Sequence, residues 1–235
     1  MTNIAQYLGT PANPAQEFVK YALGIGAIEL IPEGRALKSG RISPYFFNSG
    51  LFNTGTSIDH LAEAYAHALD APFGPEVEVI FGPAYKGIPL SVAIAMRYAT
   101  LSGYDVGYAF NRKEEKDHGE GGTTVGASLK GKKVLIVDDV MTTGTSSGEA
   151  VEIIKKNGGV PIGCVIAFNR QERGAKSSLS AVQEFEQNYG IPVYSAASLS
   201  DLIKMLEISI DSFGEGPFDD IFEKVSAYRN EYGVT

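Results

Sequence analysis

The sequence predicts an α/β fold in which helices cover a doubly wound, mostly parallel central sheet. Three observations carry this. Short apolar runs, many of them β-branched, alternate with amphipathic stretches of helical period. Val134-Leu135-Ile136-Val137 is apolar at every position, the pattern of a strand covered on both faces and so of a parallel sheet. Loops rich in glycine, hydroxyl or charged residues come after successive runs, as where a sheet gathers its functional groups at the carboxyl ends of its strands. At 235 residues, 44% apolar and 20% charged, the chain suits one such domain with a modest extension.

Asn13-Pro14 sets a capping residue before proline at the first helical position. Phe18, Val19, Ala22 and Leu23 then form an apolar face, and Gly24 and Gly26 end the helix. Lys38-Ser39-Gly40-Arg41 reads as a turn and Tyr45-Phe46-Phe47 as a short strand. One of the two phenylalanines belongs to the core, because neighbours on a strand face opposite ways. A helix over 58–69 carries His60 and His67, to which no role is assigned. The strand at 77–81 runs into Gly82-Pro83-Ala84-Tyr85-Lys86-Gly87, with a helix beginning near Ile88. Glycine at both ends suggests backbone approaching an anion, with a lysine beside it.

A further strand is expected over 105–110. The stretch from Asn111 to Gly122 is charged at most positions, lacks apolar anchors and ends in glycines, so it reads as a mobile loop. The apolar run from Val160 to Phe168 contains Cys164, expected to be a buried thiol, and leads into Asn169-Arg170-Gln171-Glu172-Arg173-Gly174. An arginine leaving the end of a core strand can pair bidentately with a carboxylate, whereas Arg173 reads as a surface charge. A helix over 179–189, a strand at 192–194, a helix over 200–206 and a helical tail over 218–232 complete the alternation.

The chemistry centres on the residues just beyond the run at 134–137. Asp138 and Asp139 cannot be buried unpaired at low cost, so they belong at the strand's carboxyl end, at the mouth of a crevice. Val140 and Met141 lead into Thr142-Thr143-Gly144-Thr145-Ser146, small and hydroxyl-rich enough to wrap a phosphate. Thr145 or Ser146 can cap a helix whose apolar face is Ala150, Val151 and Ile154 and which stops at Gly158-Gly159. Strand, acidic pair, phosphate loop and helix N-terminus together make a site for a phosphorylated sugar. The Gly-Lys-Ser/Thr of nucleotide P-loops is absent.

A net charge of −8 argues against nucleic-acid binding by general electrostatic attraction, though not against binding a small anion. The single cysteine allows no disulfide within the chain. The sequence holds no run long enough to span a bilayer, no signal peptide and no lipidation motif, so a cytoplasmic location without membrane attachment is expected.

The block from Val134 to Ser146 resembles the 5-phosphoribosyl-1-pyrophosphate (PRPP) signature of the type I phosphoribosyltransferases. That resemblance implies that Asp138 and Asp139 hold the ribose hydroxyls and that the 140–146 loop holds the 5-phosphate. The segment from Leu37 to Asn48 is similar, nearly letter for letter, to the N-terminal hood of the orotate phosphoribosyltransferases. It implies that Lys38 reaches the substrates and that Phe46 and Phe47 receive the orotate base. Gly82 to Gly87 resembles the family's pyrophosphate loop, with Tyr85 and Lys86 on PRPP and a cis bond between Ala84 and Tyr85. Arg112-Lys113-x-x-Lys116-x-His118-Gly119-x-Gly121 matches the family's catalytic loop. Lys116 is then the leading catalytic residue, with Arg112, Lys113, His118 and Glu120 as companions. In some members this loop acts across a dimer interface, which would put the 111–122 loop of a homodimer in the partner subunit's site. Arg170 matches the arginine that grips the orotate carboxylate, and Thr142 the position that touches orotate; Asn169 stands where relatives commonly carry aspartate.

The implied reaction joins orotate to PRPP, giving orotidine 5-phosphate and pyrophosphate in pyrimidine (UMP) biosynthesis. Mg²⁺ is the implied cofactor, held mainly by PRPP, pyrophosphate and water. One phosphoribosyltransferase domain is expected, with the hood mainly over 1–55, the core over 56–212 and the tail over 213–235. A fused decarboxylase domain, found in some relatives, is not expected at this length. The alternatives are a type I enzyme for a purine, uracil or xanthine, and a PRPP-sensing regulator without catalysis. Lys38 to Arg41, Phe46-Phe47 and Arg170 weigh against the first; the full catalytic-loop motif and the acidic charge weigh against the second.

Overall fold

The structure, a computed structural model, describes residues 7–116, 122–175, 177–213 and 218–234, with the backbone alone for 113–116 and 122. In chain order its main elements begin with α1 (Pro14–Gly24), β1 (Ile28–Ala36), β2 (Ile42–Phe47) and α2 (Gly55–Phe73). Then come β3 (Val79–Gly82), α3 (Gly87–Ser102), β4 (Gly107–Lys116), β5 (Gly122–Gly126) and β6 (Lys133–Asp138). The chain continues through α4 (Thr145–Lys156), β7 (Val160–Asn169), α5 (Ala181–Tyr189), β8 (Val193–Ser198), α6 (Leu199–Phe213) and α7 (Asp219–Tyr232). The described residues fall into two compact units: 7–60, 168–180 and 197–234 make one, and 61–167 with 181–196 the other.

The first unit is built on α1, α6, α7 and a two-stranded sheet. Asn13 caps α1 as its position predicts, its side-chain oxygen accepting the Gln16 amide at 3.0 Å. β1 and β2 form an antiparallel hairpin whose connection runs through Lys38 and Gly40. Nothing in the sequence pattern announces β1, because Pro32, Glu33 and Gly34 interrupt it. The hairpin absorbs them as an irregularity between Leu30 and Arg35, with Gly34 at a positive φ.

The six-stranded sheet runs in the order β5-β4-β3-β6-β7-β8, with β4, β3, β6 and β7 mutually parallel and β5 antiparallel to β4. Its centre is the predicted one: Val134, Leu135, Ile136 and Val137 are all fully buried. In the second unit Phe81, Ile136, Cys164 and Ile166 pack with Val151 and Ile154 of α4 and Phe185 of α5 into one core cluster. Among the described residues, no helix is long and apolar enough to cross a membrane.

Two local expectations need correction. The charged stretch from Asn111 is not loop throughout, because β4 continues to Lys116 and pairs with β5 through Asn111↔Thr124 and Lys116↔Gly122. On an edge hairpin the backbone hydrogen bonds supply the order, without need of apolar anchors. The cap of α4 is Gly144 rather than Thr145 or Ser146, with φ of 70° and no side-chain hydrogen bond. A left-handed residue there turns the chain from the hydroxyl loop into the helix, a conformation glycine adopts without steric cost.

Ile136→Ala should cost about 2–5 kcal/mol, the range for truncating a fully buried aliphatic side chain. Urea titration should show a lower midpoint with an unchanged slope.

Candidate functional site

β6 ends at Asp138, and the structure keeps both carboxylates of the acidic pair largely out of water, at 8% and 7% exposure. Asp138 Oδ1 accepts the Asp139 amide at 2.9 Å, and Ser147 Oγ donates to Oδ2 at 3.4 Å. The backbone is pinned as well. Tyr65 Oη, fully buried on α2, donates to the Asp138 carbonyl at 2.6 Å, and the Ala167 amide of β7 donates to the Asp139 carbonyl at 2.9 Å. Nothing in the sequence pattern marks Tyr65, since a tyrosine on an amphipathic helix reads as core. Burial first, and the adjacent Asp139 charge after it, push Asp138 up to about 6.

The loop before α3 carries the opposing charge. Lys86 Nζ reaches Asp139 Oδ2 at 2.6 Å while its side chain stays 67% exposed. The Ala84–Tyr85 peptide is cis, as the resemblance implies. Gly82 and Gly87 close the loop so tightly that a Cβ on Gly82 would meet the Gly87 carbonyl oxygen at 1.9 Å. Only glycine fits such a backbone crossing. Asn111, the first residue of the charged stretch, accepts the Ala84 amide on its Oδ1 at 2.8 Å and so ties this loop to β4. Asn111 stands just before the motif, and no periodicity distinguishes an asparagine that holds a loop from one that faces water.

Beyond the acidic pair, Thr142, Thr143, Thr145 and Ser146 are exposed, with Thr143 and Thr145 hydroxyls 3.0 Å apart, while Val140, Met141 and Gly144 are half-buried. Two cavities border this loop. The larger, about 640 Å³, runs along Thr143 to Thr145 but also takes in Glu149, Glu152 and Glu184, a poor lining for a polyanion. The smaller, about 220 Å³, brings together Ala84, Asn111, Arg112 and Ser146 and shares Glu149, so the 82–87 loop, β4 and the hydroxyl loop meet there. Tyr85, next to Ala84 in sequence, stands out at 70% exposure. The side chains of Lys113 and Lys116, and the whole of His118 and Glu120, lie outside the described residues.

Of the residues that the resemblance assigns to the base, Lys38, Phe46, Phe47 and Arg170 belong to the first unit and Thr142 to the second. Lys38 is exposed in the hairpin connection. Strand alternation divides the phenylalanine pair as expected. Phe47 is buried and stacks on Phe168 at 5.4 Å, while Phe46 faces the other way, half-exposed under the Arg35 guanidinium at 4.0 Å. Arg170 lies over the Tyr45 ring at 4.6 Å, donates from Nη2 to Ser43 Oγ at 3.3 Å and pairs with Glu172 Oε1 at 2.6 Å. Asn169 Oδ1 accepts the Gln171 amide at 2.9 Å, so an amide keeps the acceptor that aspartate would offer there. Arg173 is exposed, as its surface reading holds.

A family model described as the phosphoribosyl transferase domain matches residues 49–196. The chain is 50% identical over 219 residues to an orotate phosphoribosyltransferase of Thioalkalivibrio sulfidiphilus, covering 93% of this chain and 97% of the relative. It is 48% identical over 234 residues to one of Bordetella bronchiseptica, covering 97% and 100%. A crystal structure of the Francisella tularensis orotate phosphoribosyltransferase superposes with a TM-score of 0.79 at 37% identity, over 93% of this chain and 100% of that one.

The raised Asp138 has a consequence for stability. The folded chain holds this proton more tightly than the unfolded one, so its contribution is present below about pH 4 and lost as pH rises through about 6. Asp138→Asn should therefore gain stability relative to wild type as pH rises from about 4 to 7, read as diverging urea midpoints.

Proposed function

The chain belongs to the phosphoribosyltransferase family, among the orotate phosphoribosyltransferases, and we propose that it transfers the 5-phosphoribosyl group of PRPP to orotate for pyrimidine biosynthesis. The products are orotidine 5-phosphate and pyrophosphate. The observation that carries this reading is the buried acidic pair at the end of β6, running directly into an exposed hydroxyl loop that opens α4.

The physical problem of the reaction is charge. Ribose C1 becomes cation-like while a polyanionic diphosphate departs, so the chain must offer cations to the leaving group and needs little nucleophilic help. Asp138 and Asp139 accept the ribose hydroxyls, and their negative charge favours the developing cation. Residues 140–146 hold the 5-phosphate, which does not react, so that grip supplies binding energy for positioning. Tyr85 and Lys86 meet the diphosphate. The exposed Lys86 leaves its ion pair with Asp139 at little cost, because a pair open to water on one side is worth little. Arg112, Lys113, Lys116 and His118 draw off the leaving charge, with Lys116 central. Arg170 takes the orotate carboxylate, with Lys38, Phe46, Phe47 and Thr142 completing the base site.

When bound with PRPP, Mg²⁺ would supply positive charge to the departing diphosphate. Among the described residues no three His, Cys, Asp or Glu side chains gather as a metal-binding group. The ion would be held mainly by PRPP, pyrophosphate and water, with no direct protein ligand expected. A homodimer in which the 111–122 loop serves the neighbouring subunit, and a cytoplasmic location, belong to the same proposal. They rest on the motif and on the buried lone cysteine.

Mixing the purified chain with orotate and PRPP should consume orotate spectrophotometrically with Mg²⁺ and far more slowly without it. No consumption under either condition, with turnover of another base instead, would reject orotate as the acceptor. Lys116→Ala should lower kcat at least ~100-fold with an unchanged melting profile, the scale of losing one transition-state donor; near-normal turnover would remove that role. Arg170→Ala should mainly raise the KM for orotate, and a rise confined to the KM for PRPP would reassign the base site.

A further inference from the structure

Glu172 lies two residues beyond Arg170 and is not part of any substrate contact assigned above. Its carboxylate is nonetheless engaged on both oxygens. Oε1 accepts from Arg170 Nη2 at 2.6 Å and from Tyr45 Oη at 3.1 Å. Oε2 accepts from Tyr228 Oη at 3.1 Å and lies 3.5 Å from Arg41 Nη1. The side chain is only 11% exposed, and Tyr45 is fully buried beside it. A buried carboxylate with four partners is oriented rather than merely neutralised.

The turn that carries it is built to fold it back on Arg170. Gln171, between the two, has φ of 53°, the left-handed region that residues with a Cβ rarely adopt. Four hydrogen bonds from three residues over-determine that conformation. Asn169 Oδ1 takes the Gln171 amide, Ser200 donates its amide at 2.9 Å and its hydroxyl at 2.7 Å to Gln171 Oε1, and the Val234 amide donates to the Gln171 carbonyl at 2.9 Å. The chain's end completes the clasp, since the Arg173 amide donates to the Tyr232 carbonyl at 2.9 Å and Gly233 bridges Glu172 antiparallel. α7, on which the sequence placed no role, thus supplies Tyr228 to the carboxylate and its last residues to the turn.

Two features suit this cluster to a ligand anion. Two guanidiniums, Arg41 and Arg170, share one carboxylate, so among the described residues these pairs hold more positive than negative charge in a largely buried place. Glu172 also engages Arg170 through Nη2 alone, so the pair is not the two-pronged one that would occupy the guanidinium's fork.

We propose that Glu172 is a positioning residue for orotate recognition: together with Tyr228 of α7 it holds the Arg170 guanidinium in the orientation that receives the orotate carboxylate. The inference rests on the assignment of Arg170 to that carboxylate made above. It makes the C-terminal helix part of base selection rather than packing alone.

The test uses the full chain as wild type, Glu172→Gln, Glu172→Asp, Tyr228→Phe and Arg170→Ala, with KM measured separately for each substrate while the other saturates. Glu172→Gln should raise the KM for orotate about tenfold, as expected for losing a charge-assisted bond, with the KM for PRPP unchanged. Tyr228→Phe should raise it about threefold, the scale of one neutral hydrogen bond, and Glu172→Asp should recover part of the loss. If Glu172→Gln fails to fold, Tyr228→Phe carries the test by the same split. Equal rises in both KM values, a change in melting temperature with no orotate effect, or tighter orotate binding would each overturn the inference. Should Arg170→Ala raise the orotate KM while Glu172→Gln and Tyr228→Phe do not, the reading of Arg170 stands and the positioning role falls. Should Arg170→Ala leave the orotate KM unchanged in an active enzyme, the assignment of Arg170 falls and takes the inference with it.

Discussion

Two carboxylates withdrawn from water at the end of a buried strand are the constraint on which the second unit depends. An isolated buried charge is costly, and two adjacent like charges compound the cost. The surrounding elements answer it piece by piece. Ser147 at the start of α4 donates to Asp138, Lys86 before α3 pairs with Asp139, and Tyr65 on α2 and Ala167 on β7 hold the two backbone carbonyls. Helix, loop and neighbouring strand must all arrive at the carboxyl end of β6 for the pair to be tolerated. A parallel sheet with its loops gathered at that end meets the requirement, so in this unit the demands of the core and of the site coincide.

The first unit faces the opposite problem, a largely buried guanidinium at the end of β7. Its solution is also distributed: a strained turn, a carboxylate shared between two arginines, two tyrosine hydroxyls and the last residues of the chain. The balance of charge differs between the two clusters in a way that matches their proposed ligands. Carboxylates in excess of lysine suit ribose hydroxyls, which donate. Guanidiniums in excess of carboxylate suit a carboxylate on the base, which accepts.

The local grammar of the chain is legible wherever one interaction dominates. Asn13-Pro14 starts a helix because capping and a fixed φ act within four residues. Val134 to Val137 declares a doubly covered strand because each residue repels water on its own account. The pattern misleads where order comes from pairing. β1 hides its irregularity in a hairpin, and β4 extends through charged residues because a neighbouring strand, absent from any local window, holds its backbone.

By itself, then, the sequence determined the α/β class, the order of the main helices and central strands, the acidic pair and hydroxyl loop, and the arginine that leaves β7. All of these are properties of short stretches whose hydrophobicity, hydroxyl content or charge acts locally. Only the tertiary structure decided that Tyr65 and Asn111 brace the site, that Phe47 rather than Phe46 joins the core, and that Glu172 and Tyr228 meet around Arg170. Those outcomes depend on atoms separated by 73, 27 and 56 residues for the Tyr65, Asn111 and Tyr228 bonds. A hydrogen bond over such a separation leaves no periodic trace, because its partners are neighbours only after the chain has folded.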